Sequence, residues 1–346
     1  MLSKRIVVGV SGGVDSSIAL VVLKKQGYTP IAVSLRLPVW KGAKCKENSC
    51  CTDKSLAIAK DVCKNLGIEH HVIDERKNFE KEVVGYFKKE LKKNRTPNPC
   101  VICNRYSKIK SLLDFADKHN IKQIATGHYA KIKDGELFKP RDKSKDQTYG
   151  LCLLPKAWLK RIIFPLQDLT KEQVYKLAQK QDFDFFSKTK QSQDFCFVSG
   201  NDTLKFVESE LGNNPGEIIN QNKKVVGKHN GLWFYTIGQR KGLGQNGTKY
   251  YVNGFDSKKN QLLVTTDQEK KIKETIVRDI NFISKEIPKK IQVKIRHSPR
   301  TFLANIEIIS KTKAKIIFLK PQLPTTPGQF CVFYDKDKCL GGGTIE

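Results

Sequence analysis

The stretch Arg5 to Leu20, RIVVGVSGGVDSSIAL, constrains this chain more than any other. A β-branched run enters a glycine pair, and an apolar segment with helical periodicity follows at once, so strand, tight loop and helix share one short piece of chain. Bare backbone N–H groups and the positive end of a helix then meet at one point, and together those features bind phosphate. The P-loop pattern of Gly, four residues and Gly-Lys-Ser/Thr is not met, because no lysine stands within Gly9 to Ser17. A G-x-G-x-x-G dinucleotide fingerprint also fails at its spacing. A plain turn closing a strand onto a helix accounts for one glycine but not for Ser11, Gly12 and Gly13 together with Asp15, Ser16 and Ser17.

At 346 residues the chain exceeds one ordinary core and predicts two or three domains. Up to about residue 200, short β-branched runs alternate with helical periodicity: strands RIVVGV, TPIAVSL, HHVID and QIATGHYA, and helices from Ser16 to Gln26, Asp53 to Leu66, Asn78 to Lys93 and Asn104 to His119. TPNPCVIC reads as a loop because of its prolines, and TKEQVYKLAQK after Thr170 reads as a capped helix. Such alternation predicts an α/β, doubly wound parallel sheet with ligands at the carboxyl ends of its strands. Beyond about 205 the texture changes to glycine-punctuated strands, GEIIN, KVVGKH, GLWFYTIG, YYVNGFD and QLLVTT. Six short alternating runs follow from about 276, the pattern of a small all-β barrel. The expected division is a catalytic domain over 1–204, a central mixed or β domain over 205–275 and a C-terminal β-barrel over 276–346.

The chain carries 63 Lys plus Arg against 35 Asp plus Glu, a net charge of +28. Nucleic acid is the natural polyanionic partner, ahead of membrane, since no basic amphipathic helix stands out. General lysine richness would explain part of the excess, so clustering is the better guide. From Arg76 to Lys110 there are 11 basic and 3 acidic residues, and from 276 to 346 there are 13 against 6. No apolar run approaches the ~20 residues of a bilayer-spanning helix, and the basic N-terminus leads directly into a strand rather than a signal peptide. A cytoplasmic protein with its ten cysteines reduced is expected.

Two cysteine sites bear on chemistry. Cys100-x-x-Cys103 heads a predicted helix, where the helix end and nearby Arg95 and Arg105 favour thiolate. A lone C-x-x-C in such a chain is more often a zinc or redox site than a nucleophile. Zinc would require a second C-x-x-C or a histidine pair at suitable spacing, and adjacent Cys50 and Cys51 cannot form that knuckle. Cys196, between Phe195 and Phe197, would by itself be read as a small buried apolar residue. His128 would ordinarily fill a strand end, Lys145 and Asp146 a solvated turn, and GQRKGLG (238–244) a basic turn able to track a phosphate backbone.

SGGVDSS resembles the PP-loop of the N-type ATP pyrophosphatases (adenine nucleotide alpha hydrolase-like). Taken in order, TPNPCVICN, TGHYA, KDQTY, SQDFCF and GQRKGLG are similar to the bacterial tRNA-specific 2-thiouridylase family, over residues 5 to about 343. The resemblance implies an ATP- and Mg²⁺-dependent sulfurtransferase acting on the anticodon arm of tRNA, with sulfur from a persulfide donor protein. It implies Cys103 as the catalytic cysteine and Cys196 as the persulfide carrier. Gly9, Val10, Ser11, Gly12, Gly13, Val14, Asp15, Ser16, Leu35 and Gly127 match ATP-contacting positions. Asn98, Pro99 and Cys100 match the segment that meets the target base. His128, Lys145, Asp146, Gln147, Arg296, His297 and Gln329 match tRNA-contacting positions. Some members carry Asp where Cys100 stands here, which leaves an alternative: an iron–sulfur cluster held by Cys100, Cys103 and Cys196 in another RNA-modifying enzyme. No role follows for Cys45, Cys50 or Cys51.

Overall fold

The computed structural model describes residues 4–40, 53–181, 183, 198, 202–243, 248–266 and 271–346. Strand β1 (Lys4–Gly9) pairs in parallel with β2 (Tyr28–Arg36) on one side and β4 (Ile124–Thr126) on the other. β3 (His70–Asp74) lies outside β2, and the short strand Ile162–Ile163 lies outside β4. Both faces of the sheet are covered. Val7, Val33 and Leu35 enter one apolar cluster, while Ile6, Val8 and Ala32 enter the other. That two-sided burial is why these strands read as unbroken apolar runs. Chain order reverses between β1 and β4, so the ligand crevice of such a sheet opens at their carboxyl ends.

Helix α1 (Val14–Lys25) follows β1 directly and carries Asp15 in its first turn and Lys24 and Lys25 in its last, as the helix dipole favours. On the opposite face, Arg76–Phe79 runs through a π-helical turn at Glu80–Val84 into Gly85–Leu91. The next helical stretch corrects the expectation of a loop at TPNPCVIC. It begins as Pro99–Cys103, widens over Asn104–Ile109 and continues as Lys110–Lys118. Pro99 occupies the first helical turn, where its missing N–H costs nothing, and Asn98 caps it by accepting from the Cys100 N–H at 3.1 Å.

The C-terminal strands Ile272–Phe282, Lys290–Lys294, Phe302–Ser310, Lys313–Gln322, Phe330–Asp335 and Lys338–Ile345 close into an antiparallel barrel, the first strand pairing with the last. The first of these straddles the expected edge at 275/276, as helix Thr203–Leu211 straddles that at 204/205. A hairpin of the parallel-sheet domain, Lys131–Lys133 and Glu136–Phe138, adds to the last barrel strand. Strand Phe330–Asp335 serves two cores: Cys331 and Phe333 face the barrel interior, while Phe330, Val332 and Tyr334 join the parallel-sheet domain's cluster with Tyr149. The central unit is a small sheet of Gly216–Ile219, Val225–His229, Tyr251–Asp256 and Gln261–Thr265. GLWFYTIG, expected as a strand, instead turns through a 3₁₀ segment at Leu232–Phe234, and Leu232 is the buried anchor of that segment.

Candidate active site at the β1/β4 crevice

The nucleotide loop leaves β1 at Gly9 and is braced from three sides. Ser11 donates its backbone N–H to the Ser16 hydroxyl at 3.2 Å, while the Ser16 and Ser17 hydroxyls donate to the Gly13 carbonyl at 2.9 and 3.0 Å. Gly13 caps α1 without a side chain, so the first-turn N–H groups of that helix face outward with no side-chain cap. Beneath the loop, the Ser34 hydroxyl donates to the Val10 carbonyl at 2.8 Å and meets His70 Nε2 at 2.8 Å. Burial, then His71 and Lys60, hold the His70 imidazole below its ordinary pKa. Gly12 has φ +74°, and a Cβ there would lie 2.1 Å from the Ser55 carbonyl oxygen, so only glycine serves. Gly127, at the end of β4, sits so close to the loop that a Cβ would fall 2.8 Å from the carbonyl carbon of Asp15 and the nitrogen of Ser16. The two glycine sites, distant in sequence, thus form one crevice, with Leu35 buried at the end of β2.

Asp15 has partners that the sequence reading missed. Lys171 donates to Asp15 Oδ1 at 2.6 Å, and the Tyr129 hydroxyl donates to the same oxygen at 2.9 Å. A signal for Lys171 did exist in the sequence. Thr170 and Gln173 form a capping box that starts the helix Lys171–Gln179 at Lys171, and helix starts in a doubly wound sheet gather at the ligand edge.

Cys103 is 2% exposed and Cys100 is exposed, one helical turn apart. Their helix is fixed at the carboxyl edge of the sheet, because Asn78 donates to the Tyr106 carbonyl at 3.0 Å and Ser107 meets Glu75 at 3.5 Å immediately beyond β3. Asn104, buried beside Cys103, donates to the Gly150 carbonyl at 2.9 Å. Arg95, expected to favour a thiolate here, instead pairs at 3.4 Å with buried Glu90, which Arg278 of the barrel also meets at 3.3 Å. Cys196 lies outside the described residues, as do Cys45, Cys50, Cys51 and Gly244. Cys152 and Cys339 are buried at the seam with the barrel, and Cys331 in the barrel interior. Burial pushes their thiols up, Cys339 to about 12, which makes them inert packing groups.

The Arg95 to Pro99 loop is held by both β domains. Thr96 N–H donates to the Pro327 carbonyl at 2.8 Å, Gln329 Nε2 donates to the Thr96 carbonyl at 2.8 Å, and the Thr96 hydroxyl donates to Thr236 of the central domain at 3.0 Å. Arg296, exposed, donates to the Thr326 hydroxyl at 2.9 Å. His297 is also exposed, with its ring 5.4 Å from Tyr149. Partial desolvation of the ring, then neighbouring Lys294, lowers its pKa, and Asp146 opposes the shift.

The KDQ turn has a different character from a solvated loop. Asp146 forms an ion pair with Lys294 of the barrel at 2.8 Å, the two side chains only 6% and 9% exposed. Its other oxygen accepts from the backbone and hydroxyl of Thr148 at 3.0 and 2.6 Å. Gln147 accepts from the Tyr129 N–H at 2.7 Å, and Lys145 is half-buried. His128 receives or donates a 2.8 Å bond at Nδ1 with Thr126; burial first, then Lys108, pushes its pKa down to about 3.

Among the described residues no group of three or more His, Cys, Asp or Glu side chains could hold a metal ion. Asp15, 34% exposed at the loop, is a carboxylate of the kind that joins substrate phosphates around Mg²⁺. Among the same residues no helix is long and apolar enough to cross a membrane.

Fold and site together define a PP-loop nucleotide domain that carries a small β domain and a closed β-barrel on its cysteine-bearing side. The family descriptions that match are a tRNA methyl transferase HUP domain over residues 4–200, a tRNA methyl transferase PRC-barrel domain over 204–266 and an aminomethyltransferase beta-barrel domain over 272–345. The tRNA-specific 2-thiouridylase MnmA of Acetivibrio thermocellus is 39% identical, with 100% of each chain covered. That of Carboxydothermus hydrogenoformans is 40% identical over 99% of this chain and 98% of its own. A solved 4-thiouridine synthetase–RNA complex with bound ATP overlaps 60% of this chain and 50% of its own at 18% identity and a TM-score of 0.39. The chain belongs to the tRNA-specific 2-thiouridylase family.

Proposed function

We propose that the chain makes 2-thiouridine at the wobble position of tRNA in the cytoplasm, consuming ATP and taking sulfur from a persulfide donor protein. The observation that carries the site assignment is the arrival of Gly9–Ser16, Gly127 and the Cys103 helix at the same edge of one sheet. In this reading residues 1–204 hold the chemistry, while 205–275 and 276–346 grip the anticodon arm. The nucleotide sits on Gly9, Val10, Ser11, Gly12, Gly13, Val14, Asp15 and Ser16 with Leu35 and Gly127, and Asp15 is the carboxylate that would help hold a Mg²⁺, which when bound would screen the phosphates.

The uracil C2 oxygen is a poor leaving group, and transfer of AMP to it, with release of pyrophosphate, makes it a good one. The terminal sulfur of a Cys196 persulfide then attacks C2 and AMP departs with the oxygen. Cys103 as thiolate attacks the inner sulfur, the S–S bond to the base breaks, and thiolated uridine leaves with a Cys103–Cys196 disulfide behind. A dithiol reductant restores both cysteines. Asn98, Pro99 and Cys100 meet the target base, and His128, Lys145, Gln147, Arg296, His297 and Gln329 meet tRNA. Asp146 is better suited to hold the KDQ turn through Lys294 than to touch RNA itself.

The test is mass spectrometry of tRNA nucleosides after incubation with ATP and a persulfide donor. Wild type yields 2-thiouridine and Cys103→Ser yields none while still binding tRNA. Equal thiolation by the two proteins, or none by wild type, overturns the proposal.

A further inference from the structure

Lys171 faces the nucleotide loop with a charge balance that the protein alone leaves uneven. It stands at the first position of its own helix, where the positive end of the helix dipole disfavours a cation. Its ammonium also points at the first turn of α1, a second positive helix end. The side chain is only 11% exposed, and its carboxylate partner is Asp15, at 2.6 Å. Tyr129 and Tyr175 hold the ammonium over their rings at 5.8 and 5.0 Å, and Asp142 fixes the Lys171 backbone by accepting its N–H at 3.0 Å. Lysine, with its long mobile stem, is costly to order, yet here backbone, stem and charge are all restrained.

From this geometry we infer that Lys171 is a phosphate-binding residue of the nucleotide site, aimed at the α–β bridge of a nucleoside triphosphate. It supplies from 156 positions downstream of Asp15 the cation that the loop itself lacks. Asp15 offsets only part of the positive charge of the lysine and the two helix ends, and a phosphate between them supplies the rest. When the base oxygen attacks the α-phosphorus and the α–β bridging P–O bond breaks, negative charge grows on the departing pyrophosphate. A restrained ammonium stabilises that charge more than it stabilises intact triphosphate. This inference rests on the reading of the loop as the ATP site.

The experiment is calorimetric titration of the full chain with α,β-methylene ATP and, separately, with AMP, for wild type, Lys171→Met and Lys171→Arg. Loss of one charge-assisted contact predicts about 10-fold or greater weakening of the triphosphate analogue in Lys171→Met. AMP affinity stays unchanged, circular dichroism shows the variants folded at the titration temperature, and Lys171→Arg recovers part of the analogue affinity. Unchanged analogue binding in Lys171→Met, or equal loss of analogue and AMP, overturns the role of Lys171. Failure of wild type to bind the analogue instead overturns the reading of the loop. A crystal structure of wild type with the analogue gives a check independent of any variant: Nζ is expected within hydrogen-bond distance of a β-phosphate oxygen, and Nζ remaining on Asp15 alone refutes the inference.

Discussion

Gln329 of the barrel donates its side-chain amide to the Thr96 carbonyl at 2.8 Å, across a separation of 233 residues. Thr96 precedes the Asn98-capped helix that carries Cys103, so the barrel sets the position of that helix start. Gln329→Glu removes the donor and brings a carboxylate against a carbonyl oxygen. Thiolation at limiting tRNA is expected to fall about 10-fold, the scale of one lost buried hydrogen bond, with binding of an ATP analogue unchanged. Parallel loss of analogue binding would mean that this contact supports the whole domain, not the loop.

The Asp146–Lys294 pair joins the catalytic domain to the barrel within the protein. Lys294→Met leaves a carboxylate buried with only Thr148 to accept from, and is expected to cost about 3 kcal/mol of stability in denaturant unfolding. If Asp146 instead served only as an RNA contact, the substitution would leave the unfolding midpoint in place.

Gly127→Ala places a methyl group against the Asp15–Ser16 peptide, which is backbone and cannot swing aside. The expected cost is about 1–3 kcal/mol of overpacking, felt first as weaker nucleotide binding. Measuring analogue affinity and melting temperature together distinguishes a displaced loop from an unfolded domain, and wild-type values for both would refute the close approach.

His128 has its pKa pushed below the ordinary 6.5 to about 3. The folded state therefore binds fewer protons there than the unfolded chain, so the residue's contribution to stability is present above pH 6.5 and is lost as pH falls from 6.5 towards 3. The imidazole carbon-bound proton resonance of His128 is expected to stay at its neutral position at pH 5, and titration near 6.5 would contradict desolvation of the ring beside Thr126 and Phe164.

Much of the architecture could be read from local pattern. The alternation of β-branched runs with helical periods marked the parallel sheet, and glycine with serine and aspartate marked the loop. The Thr170 cap emerged as a full capping box. TPNPCVIC reads as a loop because proline breaks helix interiors, whereas at the first helical turn the fixed φ of Pro99 suits the helix. GLWFYTIG misled because an apolar run signals burial without fixing the backbone that achieves it.

The candidate site divides in the same way. Ser11, Gly12, Gly13 and Asp15 declared themselves because phosphate binding needs a local run of backbone N–H groups, which a short sequence can encode. The contacts of Lys171, Tyr129 and Thr236 are not legible in this way, although the Thr170 capping box marks the helix start that bears Lys171, and Asp146 reads locally as part of a solvated turn. What each of these does depends on a partner 114 to 156 positions away or in another domain, and chain folding alone brings such partners together. The sequence by itself determined the strand, loop and helix at the phosphate site and the order of domains, because those rest on short-range periodicity and backbone freedom. Only tertiary structure decided which lysine faces Asp15 and which barrel residue holds Thr96, because side-chain charge and hydrogen bonding act over a few ångströms whatever the distance along the chain.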